Sequence, residues 1–474
     1  MATTETEAKG EQLARGVLNQ SEVLFQAITH LGPAGAAIVL IPFIAGLVGP
    51  AVPFIILLCL TAILLTGLNV SALARHLPSA GGYYTYVSHG LGNRFGFFTA
   101  WAYFLYDPLI PFLSIMVSAG ILEGVFLQSA GIYVPWWAST VVMLGLVHWI
   151  TYVGIKPSAR INLMLGVAEC AVLLLLSVAI IFHVGGDGQS LKPFEIPGVG
   201  AQPLFLGFAF TILMFAGFES AAPLAEETAN AREAIPRTVI YSLLGVGALW
   251  VLAGYAVVVG FGVDQAMDIA TATNPFFSLA NEVWSFGWIL VAFALINSSL
   301  AAGVAGQNAG SRVIFALGRA SVLPSVLGRI HPKYKTPFVA ITVQSLLNIT
   351  LGLVLGFWLG PMGALGFAGL MVALGTILVY VLGNVAVIPL YWRRFRSEWS
   401  LVRHVLVPVL ATGLLVVAFY YSVWPLPPFP MYLADVIVVI WLSIGVLLAL
   451  HLGGARRDAL QKAATILYED EPKP

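Results

Sequence analysis

The sequence predicts an all-helical integral membrane protein with twelve transmembrane helices, arranged as a 5+5 inverted repeat followed by two further helices. Three observations predict this fold class. Of the 474 residues, 59% are hydrophobic and only 9% are charged, whereas soluble domains carry about 25% charged residues. Long apolar runs recur along the chain, without the short alternating segments that form membrane barrels. Two of these runs, the first and the sixth, are interrupted by residues that disfavour a helix.

Each predicted span is an apolar run of about 20 residues or more, the length that crosses a bilayer as a helix. The first 20 residues contain no apolar core of a signal peptide, so the first span is expected to be retained. The spans lie at 22–49, 52–74, 93–122, 134–154, 160–184, 202–228, 237–262, 286–312, 337–359, 362–391, 404–424 and 430–452.

The basic residues support this number of spans and give their orientation. If both termini are cytoplasmic, every one of the 22 Lys and Arg residues except Lys192 lies in a cytoplasmic tail or connection. That distribution satisfies the positive-inside rule, and one missed span would destroy it. We therefore expect a multi-pass protein of the cell (inner or plasma) membrane with both termini in the cytoplasm.

The spans divide the chain into two repeats, two appended helices and two tails. The first repeat covers 22–184, the second covers 202–391, and the appended helices cover 404–452. Residues 1–21 and 453–474 are expected to form cytoplasmic tails. Segments 78–92 and 275–285 are too short or too polar to span, and we expect each to be a helix at the membrane interface.

Span 1 is interrupted by Gly32, Pro33 and Gly35, which fall within four residues of one another. Proline lacks an N–H group, and glycine inside a helix costs about 1 kcal/mol relative to alanine. An unsatisfied backbone group in lipid costs several kcal/mol more. Such an interruption persists only where protein or a wet cavity covers it. The alternative is a kinked helix that packs through its small residues.

Span 6 carries a second interruption in 215-FAGFES-220, where Gly217 and Glu219 stand in the middle of an apolar run. Because an odd number of spans separates the two interruptions, the interrupted helices are expected to run in opposite directions. This pattern is typical of an inverted repeat whose first helix in each half is discontinuous.

The interrupted helices predict a binding site for a zwitterion. Unwinding exposes N–H groups at the start of one half-helix, which suit a carboxylate. It exposes carbonyl groups at the end of the other half-helix, which suit an ammonium group or a metal cation. Glycine and alanine at the interruptions let a ligand approach the backbone closely.

Three segments resemble the amino acid–polyamine–organocation (APC) transporter superfamily, and the resemblance covers nearly the whole chain. They are 75-RHLPSAGGYYTYVSHGLG-92, 215-FAGFESAAPLAEETANAREAIPR-237 and 310-GSRVIFALGRASVLPSVLGRIHPKYKTP-337. The resemblance implies the LeuT-type fold. In the family the Gly-Phe-Glu of span 6, here Gly217-Phe218-Glu219, borders the substrate.

Two positions depart from the family pattern. Span 1 has Gly-Pro-Ala-Gly-Ala at 32–36, where the family commonly has Gly-Ser-Gly-Ile. Proton-coupled relatives often place a lysine in span 5, where this chain has Glu169. A buried carboxylate can carry a proton because desolvation disfavours its charged form. Alternatively, Glu169 helps to hold Na+ with Ser298 and Ser299 of span 8, or makes only a structural hydrogen bond.

The predicted substrate-binding residues border the two interruptions, and two of them lie on other spans. They are Gly32, Ala34, Gly35, Ala36, Phe215, Ala216, Gly217, Phe218, Glu219, Asp107 and Asn297. Glu219 is also expected to act as a latch, or else as a brace for the interruption. Asp107 either reaches the substrate amine or pairs with a polar neighbour. His30 can titrate near neutral pH, but a lone histidine there is more often only hydrogen-bonded.

At the cytoplasmic end of span 6, Glu226 and Glu227 are expected to form an inner gate with Arg232, Arg237 or Arg312, or else to be ordinary solvated charges. Phe215 and Phe218 are candidate lids over an apolar part of the ligand. The sequence contains no nucleotide-binding loop, metal motif or catalytic triad, so we expect neither an enzyme nor an ATP-driven pump.

The predicted function is secondary transport of an amino acid or closely related amine by alternating access, driven by a proton or sodium gradient or by exchange. No cofactor is expected apart from coupling H+ or Na+. The predicted partners are a small-molecule substrate and the lipid bilayer, without nucleic acid, and the predicted state is a monomer or homodimer. A polyamine or organic-cation transporter is the first alternative, and a membrane sensor or channel that does not transport by alternating access is the second.

Overall fold

The computed structural model describes residues 16–79, 81–270, 274–319 and 322–455. Over these ranges the regular structure is helical, apart from an isolated parallel bridge between Leu18 and Thr228. Most of the two predicted tails lies outside the described residues.

The helices up to the middle of the chain include both long apolar segments and shorter pieces. They are α1 (Gln20–Leu31), α2 (Pro33–Val48), α3 (Val52–His76), α4 (Tyr83–Leu91), α5 (Asn93–Tyr103), α6 (Ile110–Ala130), α7 (Trp136–Val153) and α8 (Ile155–Val184).

The helices of the remaining chain follow the same pattern, and α13 contains a kink at Gly360, whose φ is 71°. They are α9 (Ala201–Phe215), α10 (Ala231–Phe261), α11 (Pro275–Val283), α12 (Gly287–Arg319), α13 (Phe338–Arg393), α14 (Val407–Val423) and α15 (Tyr432–Ala455).

In the described part of the chain, 9 helical segments are long and apolar enough to cross a membrane. Two of them, Gln20–His76 and Phe338–Arg393, have 57 and 56 residues and are long enough for two crossings each. Helix α9 is a shorter apolar helix. The protein is therefore a helical multi-pass membrane protein.

Both interruptions predicted from the sequence are present. Helix α1 ends at Gly32, which adopts the left-handed conformation, and α2 begins at Pro33. Proline is well suited to the first position of a helix, because the N–H group that it lacks would have no partner there. Helix α9 ends at Phe215, and the chain forms turns up to Ala221 before a 3-10 helix over Ala222–Glu227.

The structure shows one interruption that the sequence did not predict, in span 3. Span 3 was expected to be one helix over 93–122, but it is interrupted between Tyr103 and Ile110 by a 3-10 turn over Asp107–Leu109. The physical reason is Pro108, which cannot donate a hydrogen bond and clashes with the preceding turn. Span 6 was predicted at 202–228 with an interruption at 215–220, and its regular helix, Ala201–Phe215, ends where that interruption begins.

The segments predicted to form short helices contain α4 and α11. Around the two interruptions, α1 and α2 pack against α8, α10 and α12, while α9 packs against α2 and α13. Long helices thus surround the irregular backbone on several sides, which satisfies the requirement that unwound chain be covered by protein.

Candidate functional site

The two interruptions touch each other. Gly217 has a φ of 112°, and a β-carbon placed on it would lie 2.7 Å from Cγ of His30 at the end of α1. Glycine is required there both by the backbone conformation and by the closeness of the imidazole ring. The turn after α9 therefore packs directly on the end of α1.

The first N–H groups of α2 are engaged by side chains from two other helices. The Ala34 N–H donates to Oε2 of Glu169 on α8 at 3.3 Å, and the Gly35 N–H donates to Oγ of Ser298 on α12 at 2.8 Å. Glu169 is fully buried. A carboxylate at a helix N-terminus is stabilised by the positive end of the helix dipole. The N–H groups expected to face a substrate carboxylate are thus capped by protein in this conformation.

A cavity of about 80 Å³ lies beside the span 1 interruption. One water needs about 10–15 Å³ by the same measure, so the cavity has room for a small solute. Its walls come from α1, α2, α6, α9, α12 and α13 and the turns that join them. The lining residues are His30, Leu31, Gly32, Gly35, Ala36, Val39, Leu40, Ile110, Leu113, Ser114, Val117, Ser118, Leu213, Ala216, Ser298, Ser299, Ala302 and Leu365.

The predicted substrate-binding residues separate into two groups around this cavity. Those that line it are Gly32, Gly35, Ala36 and Ala216. Those that are not among its lining residues are Ala34, Phe215, Gly217, Phe218, Glu219, Asp107 and Asn297. The Asn297 side chain donates to the Leu165 carbonyl at 2.6 Å and so joins α12 to α8. Phe215 and Phe218 pack edge-on or tilted against Trp250 and Tyr380.

His30 is a cavity residue with a buried acidic partner. Its Nε2 lies 2.9 Å from Oδ1 of Asp107, and both side chains are almost completely buried. The Tyr103 hydroxyl donates to the other carboxylate oxygen of Asp107. Asp107 therefore reaches the cavity only through His30. The sequence contains one signal for this pairing, since Asp107 directly precedes Pro108 and His30 lies two residues before Gly32.

Glu219 joins the span 6 interruption to two other parts of the molecule. It accepts hydrogen bonds from the hydroxyl of Tyr106, between α5 and α6, and from the hydroxyl of Tyr380 on α13, the latter at 2.9 Å. Two hydroxyl donors stabilise a buried carboxylate. This arrangement suits either of the roles expected for Glu219, as a latch or as a brace.

The hydroxyl groups predicted to hold Na+ have protein partners. Ser298 accepts the Gly35 N–H, as described above. The Ser299 hydroxyl lies 2.6 Å from both the Leu295 carbonyl and the Ser118 hydroxyl. Oε1 of Glu169 has no hydrogen-bond partner in the described chain. In the same part of the chain, no group of three or more His, Cys, Asp or Glu residues is placed to hold a metal ion.

The candidate gate residues form two ion pairs that differ in burial. Arg312 Nε donates to Glu227 Oε2 at 2.6 Å, and both side chains are 1% exposed. Arg319 Nη2 lies 3.0 Å from Glu226 Oε1, and both are 23% exposed. Arg319 was not among the residues selected from the sequence, although it lies two helical turns beyond Arg312 on the same helix.

The chain before α1 is attached to the same region. The Leu18 N–H donates to the Glu227 carbonyl at 3.0 Å, and the Ala229 N–H donates to the Leu18 carbonyl at 2.9 Å. Further along α1, the Gln26 side chain donates to the Ala305 carbonyl of α12 at 3.0 Å. Helix α1 is thus hydrogen-bonded to the segment that follows the second interruption and to α12.

The profile of the amino acid permease family matches residues 22–452. The low-affinity putrescine importer PlaP of Escherichia coli (strain K12) is 26% identical over 372 residues, which are 76% of this chain and 78% of the importer. The branched-chain amino acid permease BcaP of Bacillus subtilis (strain 168) is 27% identical over 368 residues, 72% of this chain and 74% of the permease.

The serine/threonine exchanger SteT of Bacillus subtilis (strain 168) is 22% identical over 299 residues, 61% of this chain and 65% of the exchanger. The family profile covers far more than half of the chain, and the relatives are transporters and not enzymes. With its apolar helices, its two touching interruptions and this match, the chain belongs to the amino acid permease family.

Proposed function

We propose that this protein is a secondary transporter that moves an amino acid or a closely related amine across a membrane by alternating access. The observation that carries the proposal is the cavity beside the span 1 interruption, which Ala216 of the second interruption also lines, in a chain of the amino acid permease family. Small residues from both interruptions line this cavity, so a solute there contacts backbone that a continuous helix would hide.

The proposed architecture has twelve spans in an inverted repeat. Gln20–His76 and Phe338–Arg393 each contain two predicted spans, and α9 supplies the outer half of span 6. The proposed first repeat is 22–184, the second is 202–391, and 404–452 is appended. The paired interruptions support this division, and the distribution of Lys and Arg supports cytoplasmic termini in the inner or plasma membrane.

The coupling ion in this proposal is a proton carried by Glu169. A buried carboxyl group favours its neutral form when it lacks a cationic partner and one of its oxygens lacks a donor. Oε1 of Glu169 has no hydrogen-bond partner in the described chain, and none of the ion pairs there includes Glu169. The hydroxyls of Ser298 and Ser299 are already hydrogen-bonded, which makes a Na+ site there the weaker alternative. Uncoupled exchange is the third, since one relative is an exchanger.

The two ion pairs near the end of span 6, Arg312 with Glu227 and Arg319 with Glu226, are proposed to close the cavity towards the cytoplasm. Opening would require Arg312 and Glu227 to separate or to move together. The proposed substrate contacts are made by the residues that border the two interruptions. The polyamine alternative is favoured by the putrescine importer among the relatives.

Counterflow exchange in proteoliposomes tests the transport function. Purified protein is reconstituted with unlabelled solute inside, and entry of labelled solute is measured for a panel of amino acids and diamines. A secondary transporter accumulates label transiently without ATP. Entry that follows the concentration gradient alone, without transient accumulation, would indicate a channel, and no entry of any solute would contradict transport. Variants and ion gradients then address coupling.

Glu169→Gln tests the coupling assignment. It removes the titratable proton but keeps an oxygen that can accept the Ala34 N–H. We expect accumulation driven by a pH gradient to be lost while counterflow exchange continues. Replacement of Na+ by choline should change transport by neither the unmodified protein nor the variant. A variant that still responds fully to the pH gradient, or a Na+ requirement in the unmodified protein, would contradict the proton assignment.

A further inference from the structure

We infer that the transported solute is a zwitterionic amino acid with an uncharged aliphatic side chain. The inference deepens the proposed transport function and rests on it. The cavity beside the interruptions carries the argument, because its lining is mostly aliphatic and its polar side chains are those of His30 and four serines, with no Asp, Glu, Lys or Arg among them.

The aliphatic wall comes from several helices. On α2, Val39 and Leu40 follow Gly35 and Ala36 by one turn and line the same cavity. Helix α6 adds an aliphatic stripe at the spacing of one helix face, Ile110, Leu113 and Val117. Leu213 of α9 and Leu365 of α13 complete the apolar lining.

Part of the polar lining lies at the start of α2, and the rest includes Ser114, Ser118 and Ser299. Gly32 and Gly35 line the cavity at the start of α2, and the Gly35 N–H donates to the Ser298 hydroxyl, which lines it as well. A helix rises 1.5 Å per residue, so Leu40 lies about 7.5 Å along α2 from Gly35. That length accommodates the charged head of an amino acid beside the interruption and an aliphatic side chain of a few carbons beyond it.

A charge on the far end of the solute would have no partner in this cavity. None of the lining residues is Asp, Glu, Lys or Arg. His30 is the one ionisable residue among them, and it is engaged by Asp107 at 2.9 Å. A buried charge without a partner is strongly unfavourable. The second ammonium of a diamine and the side-chain carboxylate of glutamate are therefore both disfavoured, although relatives are named for putrescine and for glutamate and serine.

A competition series tests the substrate class directly. Counterflow is measured with labelled leucine and with labelled alanine against excess valine, isoleucine, glutamate, lysine or putrescine. Aliphatic amino acids should compete, and the three solutes with a charged side chain or second amine should compete at least roughly tenfold less well.

The variant Val39→Phe tests whether this cavity makes the selection. The added ring should reduce leucine exchange more than alanine exchange, changing their ratio by roughly tenfold. Val142→Phe is the matched control, because Val142 lies on α7, is 70% exposed and does not line the cavity. Thermal unfolding in detergent identifies a variant that merely fails to fold. In that case Val39→Ala replaces Val39→Phe, and this smaller side chain should keep or widen the range of aliphatic amino acids that are exchanged.

The outcomes separate the inference from the proposed function. Preferential exchange of putrescine, lysine or glutamate would overturn the inference and leave transport standing. If a folded Val39→Phe variant keeps the ratio of leucine exchange to alanine exchange unchanged, this cavity does not select the substrate. The inference as argued would then be overturned. Exchange of no solute in the panel would contradict the proposed function itself, and the inference would fall with it.

Discussion

At the residue scale, single atoms decide whether the two interruptions can meet. Gly217 adopts a φ of 112°, and its α-carbon leaves no room for a side chain beside His30. The neighbouring Glu219 is buried and receives two tyrosine hydroxyls. Here a backbone torsion and a pair of hydrogen bonds act together with the burial of Phe215 and Phe218 to determine the local structure.

Gly217→Leu should abolish exchange while leaving the protein inserted in the membrane. The side chain would enter the space of His30, and the positive φ adds roughly 1–2 kcal/mol of strain. Gly131→Leu is the matched control, because Gly131 also has a positive φ, of 68°, but has no atom within 4 Å of a built β-carbon. Counterflow and the amount of membrane-extracted protein are measured for both. Normal exchange by Gly217→Leu would contradict the site assignment.

Tyr380→Phe should lower the free energy of unfolding more than Tyr391→Phe does. The first variant removes a donor to the buried Glu219 carboxylate, and a hydrogen bond to a charged group contributes about 1.5–3 kcal/mol. The second removes a hydroxyl that donates to the Ala72 carbonyl at 3.1 Å, a neutral bond that contributes about 0.5–1.5 kcal/mol. Unfolding in detergent checks the difference. Equal losses would indicate that Glu219 is neutral in the folded protein.

At the element scale, α12 connects the parts of the candidate site. Ser298 contacts the start of α2, Ala305 accepts from α1, and Arg312 holds the segment that follows α9. One continuous helix therefore contacts the span 1 interruption, α1 and the proposed gate. A shift of α12 along its axis would change the contacts of Ser298, Ala305 and Arg312 at the same time.

The two ion pairs near the end of span 6 should differ in their contribution to stability. Glu227→Gln leaves Arg312 buried without a countercharge, and breaking a buried pair costs about 3–5 kcal/mol. Glu226→Gln, the matched control, breaks a pair that is 23% exposed on each side and should cost at most about 1 kcal/mol. Thermal unfolding distinguishes the two. If both variants unfold alike, Arg312 has water or another partner, and the gate is weaker than proposed.

At the scale of the whole molecule, α15 is clasped to α5 by two tryptophans. Trp101 Nε1 donates to the Trp441 carbonyl at 2.7 Å, and Trp441 Nε1 donates to the Trp101 carbonyl at 2.9 Å. The rings stack at 4.4 Å. Gly445 lies against Trp101, where a β-carbon would be 2.3 Å from Cδ1. The last helix is therefore joined to the body of the molecule by specific contacts.

Gly445→Val should loosen α15. Overpacking against Trp101 is expected to reduce the free energy of unfolding by about 1–3 kcal/mol and to increase hydrogen exchange in α15. Gly413→Val on α14 is the matched control, because a β-carbon there meets no atom within 4 Å. Hydrogen exchange with mass spectrometry checks both. Equal exchange of α15 in the two variants would mean that the tryptophan clasp does not hold it.

The sequence predicted the helical membrane class and the two interruptions, because apolar length and isolated glycines are local signals. It did not predict the interruption near Asp107, since one proline in an apolar run often only kinks a helix. The two tyrosine partners of Glu219 were also not predicted. They come from segments far apart in sequence, and a single sequence does not show which helix faces pack against each other. The assigned roles of the site residues stay predictions.

The attachment of α1 has a consequence for the kinetics of the molecule. Its beginning is bonded to the stretch after α9, its middle to α12, and its end rests on Gly217. If α1 moves during a transport cycle, these contacts must break together, or the segments that they join to α1 must move with it. The change of state is then all-or-none, with one dominant barrier. Single-molecule traces from a donor and acceptor dye on α1 and α6 should jump between two levels without dwelling at intermediate ones.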